Sequence, residues 1–290
     1  MQSFSSTYKN QLQELFLNKS DLVIDFPKWL LSDQSIEDFR SISKLALVEI
    51  AGRDSIAAAL KSIQEYGFTD LLPTYVYTGT EYGPWDSVNQ AILRLKSRLP
   101  KVRVHPLIVL GSPAFWKALN GAFISELLSI YDFYTPCIGC HLYLHAVRIP
   151  LALLLSNIPI ISGERERHNG SVKINQIPEA LDLYKNLTET FRIQLLLPLR
   201  KISHGQEIEA ILQMDWHEGK EQLYCCLSGN YRSVDGSVET NKTQVVRYLN
   251  EFAIPCTEKI IREYISGQTP NHLKIAKQII QNLKPVGSTQ

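Results

Sequence analysis

The apolar positions of the chain fall into short dense runs that alternate with stretches of helical spacing. Residues 45–50 run apolar up to Ile50 and read as a central parallel strand covered on both faces. A small-residue turn, Ala51-Gly52-Arg53, follows, and Asp54 and Ser55 are natural starters for a helix over 55–66. The same reading predicts a strand over 74–78 with a helix over 85–99, and a strand over 102–110 with a helical stretch over 113–131. A helix over 140–156 and a strand over 158–161 complete the alternation. Before it, residues 1–43 read as an extension with a short amphipathic helix around 8–17, a strand over 21–26 and a polar helix. From about Pro198 the pattern becomes mainly helical, interrupted by a polar, glycine-bearing segment at 228–236. This order predicts an α/β protein with a doubly wound parallel sheet, which binds ligands at the carboxyl ends of its strands. No internal repeat stands out.

Composition changes this picture little. With 290 residues, 44% of them apolar and 20% charged, the chain reads as an ordinary globular protein with a good core. A net charge of +1 gives no electrostatic case for a nucleic-acid footprint. Five cysteines, an odd number with no apolar leader at the start, predict a reducing cytoplasm rather than a disulfide framework. The most apolar run, 149–161, holds two prolines with Ser156 and Asn157 and is too short to span a bilayer, so no membrane role is expected.

Three segments carry chemistry. The Gly52 turn sits where a strand meets a helix N-terminus, so amide N–H groups and the helix dipole favour an anion there, with a nucleotide phosphate the natural occupant. Neither GxxxxGK(S/T) nor GxGxxG occurs in the chain. Thr78 and Gly79 follow the second strand, across from that turn, where a base would lie. The fourth strand ends in Ser162-Gly163-Glu164-Arg165, opening five consecutive ionisable residues, 164–168. Glu164 is read as a metal-binding carboxylate and Arg165 as a phosphate ligand, while Glu166 is assigned to solvent. Lys173 is a candidate point charge for phosphate. The third segment is Pro136-Cys137-Ile138-Gly139-Cys140-His141. Two thiols so spaced at a helix N-terminus reach one metal or cluster, or form a reversible disulfide, and the dipole lowers their pKa. Further ligands would come from Cys225, Cys226 or Cys256, or from His141 and His145 on one helix face. Cys225 and Cys226 lie in an apolar setting and read as packed thiols.

The segment Ile50-Ala51-Gly52-Arg53-Asp54-Ser55 resembles the SGGxDS loop of the PP-loop ATP pyrophosphatases. The second glycine, the aspartate and the last serine match, while Ile50 and Ala51 replace the first serine and glycine. The segment around Thr78-Gly79 is similar to the region after the second strand in PAPS-reductase-like proteins, with Tyr77 in place of an aspartate. The order of turn, CxxC and small-Gly turn at Ser162-Gly163 is that of the tRNA thiolases of this superfamily. The resemblance covers about residues 44–210.

It implies a fold of the adenine nucleotide alpha hydrolase (HUP-like) type: an N-terminal extension (1–43), a nucleotide-binding domain (44–200) and a mainly helical C-terminal region (201–290). It implies ATP with Mg held by Ala51, Gly52, Arg53, Asp54, Ser55, Thr78, Gly79, Ser162, Gly163, Glu164, Arg165 and Lys173. Asp54, Cys137 and Cys140 would be catalytic. The reaction would be adenylation of an acceptor, a tRNA or a small molecule, followed by sulfur transfer. Sulfur would come from a persulfide on Cys137 or Cys140, or from a [4Fe-4S] cluster on Cys137, Cys140 and Cys256; a homodimer is left open. Two rivals stand beside this. One is an amidating or PAPS-reductase-like PP-loop enzyme with structural zinc. The other is a regulatory protein that binds nucleotide without cleaving it.

Overall fold

The computed structural model describes residues 31–84, 86–214, 222–238 and 241–283. The helix expected around 8–17 and the strand over 21–26 lie outside them. The main sheet is wholly parallel, in the order β4 (Arg103–Val104), β2 (Asp70–Val76), β1 (Leu45–Glu49), β6 (Ile160–Ile161) and β7 (Leu195–Leu196). A further strand, β5 (Ile108–Leu110), pairs with the far end of β2. The doubly wound α/β architecture is as the alternation predicted. All five residues of β1 are buried. Its alternate side chains feed two cores: Ala46 and Val48 face one, Leu45 and Leu47 the other.

The Ala46 face is covered by α2 (Arg53–Tyr66), α3 (Asp86–Arg98) and α9 (Gly205–Leu212), which contribute Ile56, Ile92 and Ile208. The Leu47 face is covered by α1 (Asp33–Arg40), α4 (Pro113–Asn120), α5 (Ile124–Tyr131), α6 (Pro136–Ala146), α7 (Ile149–Leu154) and α8 (Pro178–Thr190). Three C-terminal helices share that second core. They are α10 (Lys242–Tyr248), continued through a π-turn, α11 (Ile254–Ile265) and α12 (His272–Leu283).

Several expected elements differ in extent, for local reasons. The second strand begins at Asp70, four residues earlier than expected, and carries Pro73 in its interior opposite Val48. The strand expected over 102–110 is two, broken at His105-Pro106; the His105 ring turns back to Asp70, 2.8 Å from its carboxylate. The helical stretch 113–131 breaks at Gly121, and the helix expected over 140–156 is two pieces that meet at Val147-Arg148, just ahead of Pro150. Its first piece starts earlier, at Pro136, because Pro136 suits the first helical position and the Thr135 side chain caps the amide of Cys137. The α8 helix and β7 were not anticipated.

By length and composition the stretch Pro136–Leu154 resembles a membrane span, with a mean hydropathy of 1.5, yet 67% of it is buried inside the protein. Its apolarity is that of a core element. Arg148, at the junction of α6 and α7, is 3% exposed and fastens these helices to the sheet. Its guanidinium donates to the Glu49 carboxylate at 3.0 Å, to the Thr74 hydroxyl at 2.7 Å and to the Thr74 carbonyl at 3.3 Å. Replacing one partner of a buried pair strands the other, so Arg148→Met should lower unfolding stability by about 3–5 kcal/mol. Urea denaturation of the two proteins checks this, and a loss below 1 kcal/mol would contradict it.

Candidate functional site

The carboxyl ends of β1 and β6 diverge at the point where the sheet's winding reverses, and the cleft between them measures about 540 Å³. On the β1 side, Gly52 precedes α2 in an extended conformation. The Ser55 hydroxyl accepts from the amides of Ala51 (3.0 Å) and Gly52 (3.1 Å) and donates to the Gly52 carbonyl (2.7 Å), locking the turn. Asp54 lies between two arginines: Arg53 Nε at 2.9 Å on one oxygen and Arg165 Nε at 2.7 Å on the other. Burial alone would raise the Asp54 carboxyl, but Arg165 and Arg53 outweigh it and keep it below the usual range.

The β6 side brings Ser162, Gly163, Glu164 and Arg165 against that turn. A methyl group on Gly163 would stand 2.7 Å from the Asp54 carbonyl carbon and 2.8 Å from the Ser55 amide nitrogen. Only glycine lets the two turns come so near. Of the expected nucleotide-binding residues, Ala51, Gly52, Arg53, Asp54, Ser55, Ser162, Gly163, Glu164, Arg165 and Lys173 all line this one cleft. Thr78 and Gly79 do not. The Thr78 amide instead donates to Glu81 at 2.8 Å, and its hydroxyl bonds Thr80 at 2.7 Å, closing a turn beside the cleft. Glu166, assigned to solvent, is half-buried and holds Arg200 (2.6 Å) and Lys201 (2.8 Å).

Behind the cleft runs a buried charge network. His145 Nδ1 lies 2.7 Å from Glu49, and His141 Nδ1 lies 2.6 Å from Glu164. Burial would raise the Glu49 carboxyl, but Arg148 and His145 hold it down to about 2. Burial likewise opposes ionisation of Glu164, and His141 and His145 overcome it. Burial would lower the pKa of His145, yet Glu49 and Glu164 raise it. Lys173 in the cleft is shifted down by burial, and His168 falls to about 4 through burial, then Lys173 and Arg165.

A smaller cavity of about 110 Å³ adjoins the cleft, and His141 and Lys173 line both. Cys137, Cys140 and Cys225 line it together. Cys225 arrives on β8 (Tyr224–Cys225), which pairs antiparallel with β3 (Glu81–Tyr82). It was read as a packed thiol. Its Sγ instead lies 3.1 Å from the Thr80 hydroxyl at the cavity wall. Cys256, expected as the third ligand, sits fully buried on α11 in the apolar core, where burial pushes its thiol up to about 12.

The helix dipole was expected to lower the CxxC thiols, but burial dominates and raises both Cys137 and Cys140. Trp116 Nε1 donates to Cys140 Sγ at 3.2 Å. Among the described residues no group of three or more His, Cys, Asp or Glu side chains is arranged to hold a metal ion. Cys137, Cys140 and Cys225 share one cavity wall without forming such a group among the described residues. Sequence reasoning also missed Gln222, Tyr224 and Arg232, which line the cleft from the β8 segment. Two-residue strands carry no readable period, so nothing in the sequence flagged them.

Fold and site together define a parallel α/β protein with a densely charged cleft at its switch point and a thiol cavity beside it. The chain belongs to the family of the uncharacterized protein MJ0009 of Methanocaldococcus jannaschii, with 39% identity over 274 residues, 91% of this chain and 97% of that protein. No protein-family model matches the chain. Among solved structures, the U34-tRNA thiolase NcsA from Methanococcus maripaludis with its [4Fe-4S] cluster aligns over 94% of this chain and 82% of its own. Its TM-score is 0.38 at 13% identity.

Two outcomes follow from this geometry. Gly163→Ala should destabilise the protein by about 1–3 kcal/mol, because backbone rather than a pliable side chain must move; thermal or urea unfolding measures it. Glu49 titrates near 2 in the folded protein against an ordinary 4.5, so the folded state binds fewer protons between those values. Its contribution to stability is full above about pH 4.5 and is lost as pH falls toward 2. In Glu49→Gln the part of the acid-induced loss due to this carboxylate should vanish, at the cost of a lower stability at neutral pH.

Proposed function

We propose that the chain is an ATP-dependent adenylating enzyme of the PP-loop, HUP-like type whose thiol cavity passes sulfur to the activated acceptor. The observation that carries this reading is the convergence of Arg53, Arg165 and Lys173 with the Gly52 and Gly163 turns on one switch-point cleft. In this reading the cations and the α2 N-terminus receive the triphosphate, and Mg²⁺ enters with ATP as part of the substrate. Asp54 fixes Arg53 and Arg165 toward the phosphates. An acceptor oxygen attacks the α-phosphorus and pyrophosphate leaves. Charge stabilisation and positioning supply the rate.

The adjoining thiols then act. A sulfane-sulfur donor loads Cys137 as a persulfide, whose terminal sulfur displaces AMP from the adenylated carbon. Cys140 or Cys225 attacks the Cys137 sulfur, forming a disulfide and freeing the thiolated product, and an external dithiol restores the pair. A tRNA or a small molecule serves equally well as acceptor in this scheme, and the cytoplasm is the compartment it suits.

One observation favours a second reading, nucleotide binding without cleavage. The amides of Ala51 and Gly52 are engaged by Ser55, and the motif's first serine is replaced by Ile50. Incubation with Mg-ATP and an extract of RNA and small metabolites distinguishes the two. Equimolar AMP and pyrophosphate support the enzyme, whereas ADP and phosphate contradict it. Binding with no turnover favours the second reading. Lys173→Met should weaken ATP binding by about 10- to 100-fold, the loss of one charged phosphate contact. Cys137→Ser should leave ATP binding intact and abolish sulfur transfer.

A further inference from the structure

The cations that line the cleft suit phosphates but do not provide for a base. The end of β2, where a base was expected, is filled: Tyr77 is 5% exposed, and Thr78 spends its amide and hydroxyl on Glu81 and Thr80. Gln222 also packs against the Gly52 turn, close enough that a methyl on Gly52 would stand 2.5 Å from its Oε1. Histidines aside, the aromatic ring lining the cleft among the described residues is Tyr224, on β8. The β3–β8 register places Tyr82 directly opposite, and the two rings stack with centroids 5.3 Å apart and planes 19° from parallel. Gly83 closely approaches the Tyr224 ring, where a methyl would sit 3.3 Å from Cδ2, and its φ of 112° suits glycine. The Tyr224 plane is thus held by the Tyr82 ring stacked on one face and by close backbone at Cδ2, so little side-chain freedom remains to be lost when a flat ligand arrives on the other face.

We propose that the Tyr82–Tyr224 pair is a stacking platform for a nucleobase, so that β8, and not the end of β2, forms the base side of the cleft. This rests on the reading that Arg53, Arg165 and Lys173 receive a nucleotide's phosphates. Every base has a π-face, so the platform supplies affinity for a nucleoside triphosphate over bare triphosphate and discriminates weakly among bases. Arg232, which follows on the same segment, also lines the cleft.

Calorimetric titration of the full chain with ATP and with inorganic tripolyphosphate tests this. Tyr224→Leu should weaken ATP binding by about 5- to 150-fold, the loss of one base stack, and leave tripolyphosphate affinity within twofold. Tyr224→Phe keeps the ring and should keep ATP affinity; Tyr82→Leu should show a smaller loss with the same selectivity. Retained tripolyphosphate binding shows that each variant is folded. If Tyr224→Leu leaves ATP affinity unchanged, or weakens both ligands alike, the platform is overturned. Wild-type protein that binds both ligands equally overturns the platform and leaves the phosphate cleft standing. Wild-type protein that binds neither overturns both.

Discussion

The Glu49 carboxylate is the constraint on which the site depends. It closes β1, accepts from Arg148 and lies 2.7 Å from the His145 ring, tying the sheet to the thiol-bearing helix α6. A carboxylate so deeply buried survives only because two cationic partners outweigh the cost of leaving water. Arg148 extends the tie to β2 through Thr74, whose hydroxyl donates to the Val48 carbonyl. The position of Cys137, Cys140 and His141 relative to the cleft therefore follows from a charge network that anchors their helix.

Above that network the cleft is built by close approach and charge. Gly163 lets the β6 turn press on the first turn of α2, and Asp54 then reaches Arg165 across the gap. Arg53, Arg165, Lys173 and Arg232 line the same cleft as the N-terminus of α2 and Tyr224. Phosphate chemistry and the thiol cavity are thereby neighbours, with His141 and Lys173 common to both.

Much of this was legible in the chain. The dense run ending at Ile50, the Gly52 turn and the Ser162-Gly163-Glu164-Arg165 segment announced a parallel strand, a helix start and a second turn, and these meet in one cleft. Local signals of this kind are written in adjacent residues. What was not legible depends on distant contacts. Thr78 looks like a ligand residue until Glu81 and Thr80 are seen to occupy its amide and hydroxyl. Cys225 and Cys256 are indistinguishable by spacing, yet one reaches the thiol cavity through a two-residue strand and the other disappears into the helical core. The expected acidity of the CxxC thiols failed because burial, which the helix dipole does not offset, is a property of the packed molecule.

The most direct measurement is a crystal structure of the full chain with a non-hydrolysable ATP analogue and Mg²⁺. The account predicts triphosphate density between the turns at Gly52–Ser55 and Gly163–Arg165, in reach of Arg53, Arg165 and Lys173. An analogue bound elsewhere, or a cleft left empty at saturating ligand, would contradict it.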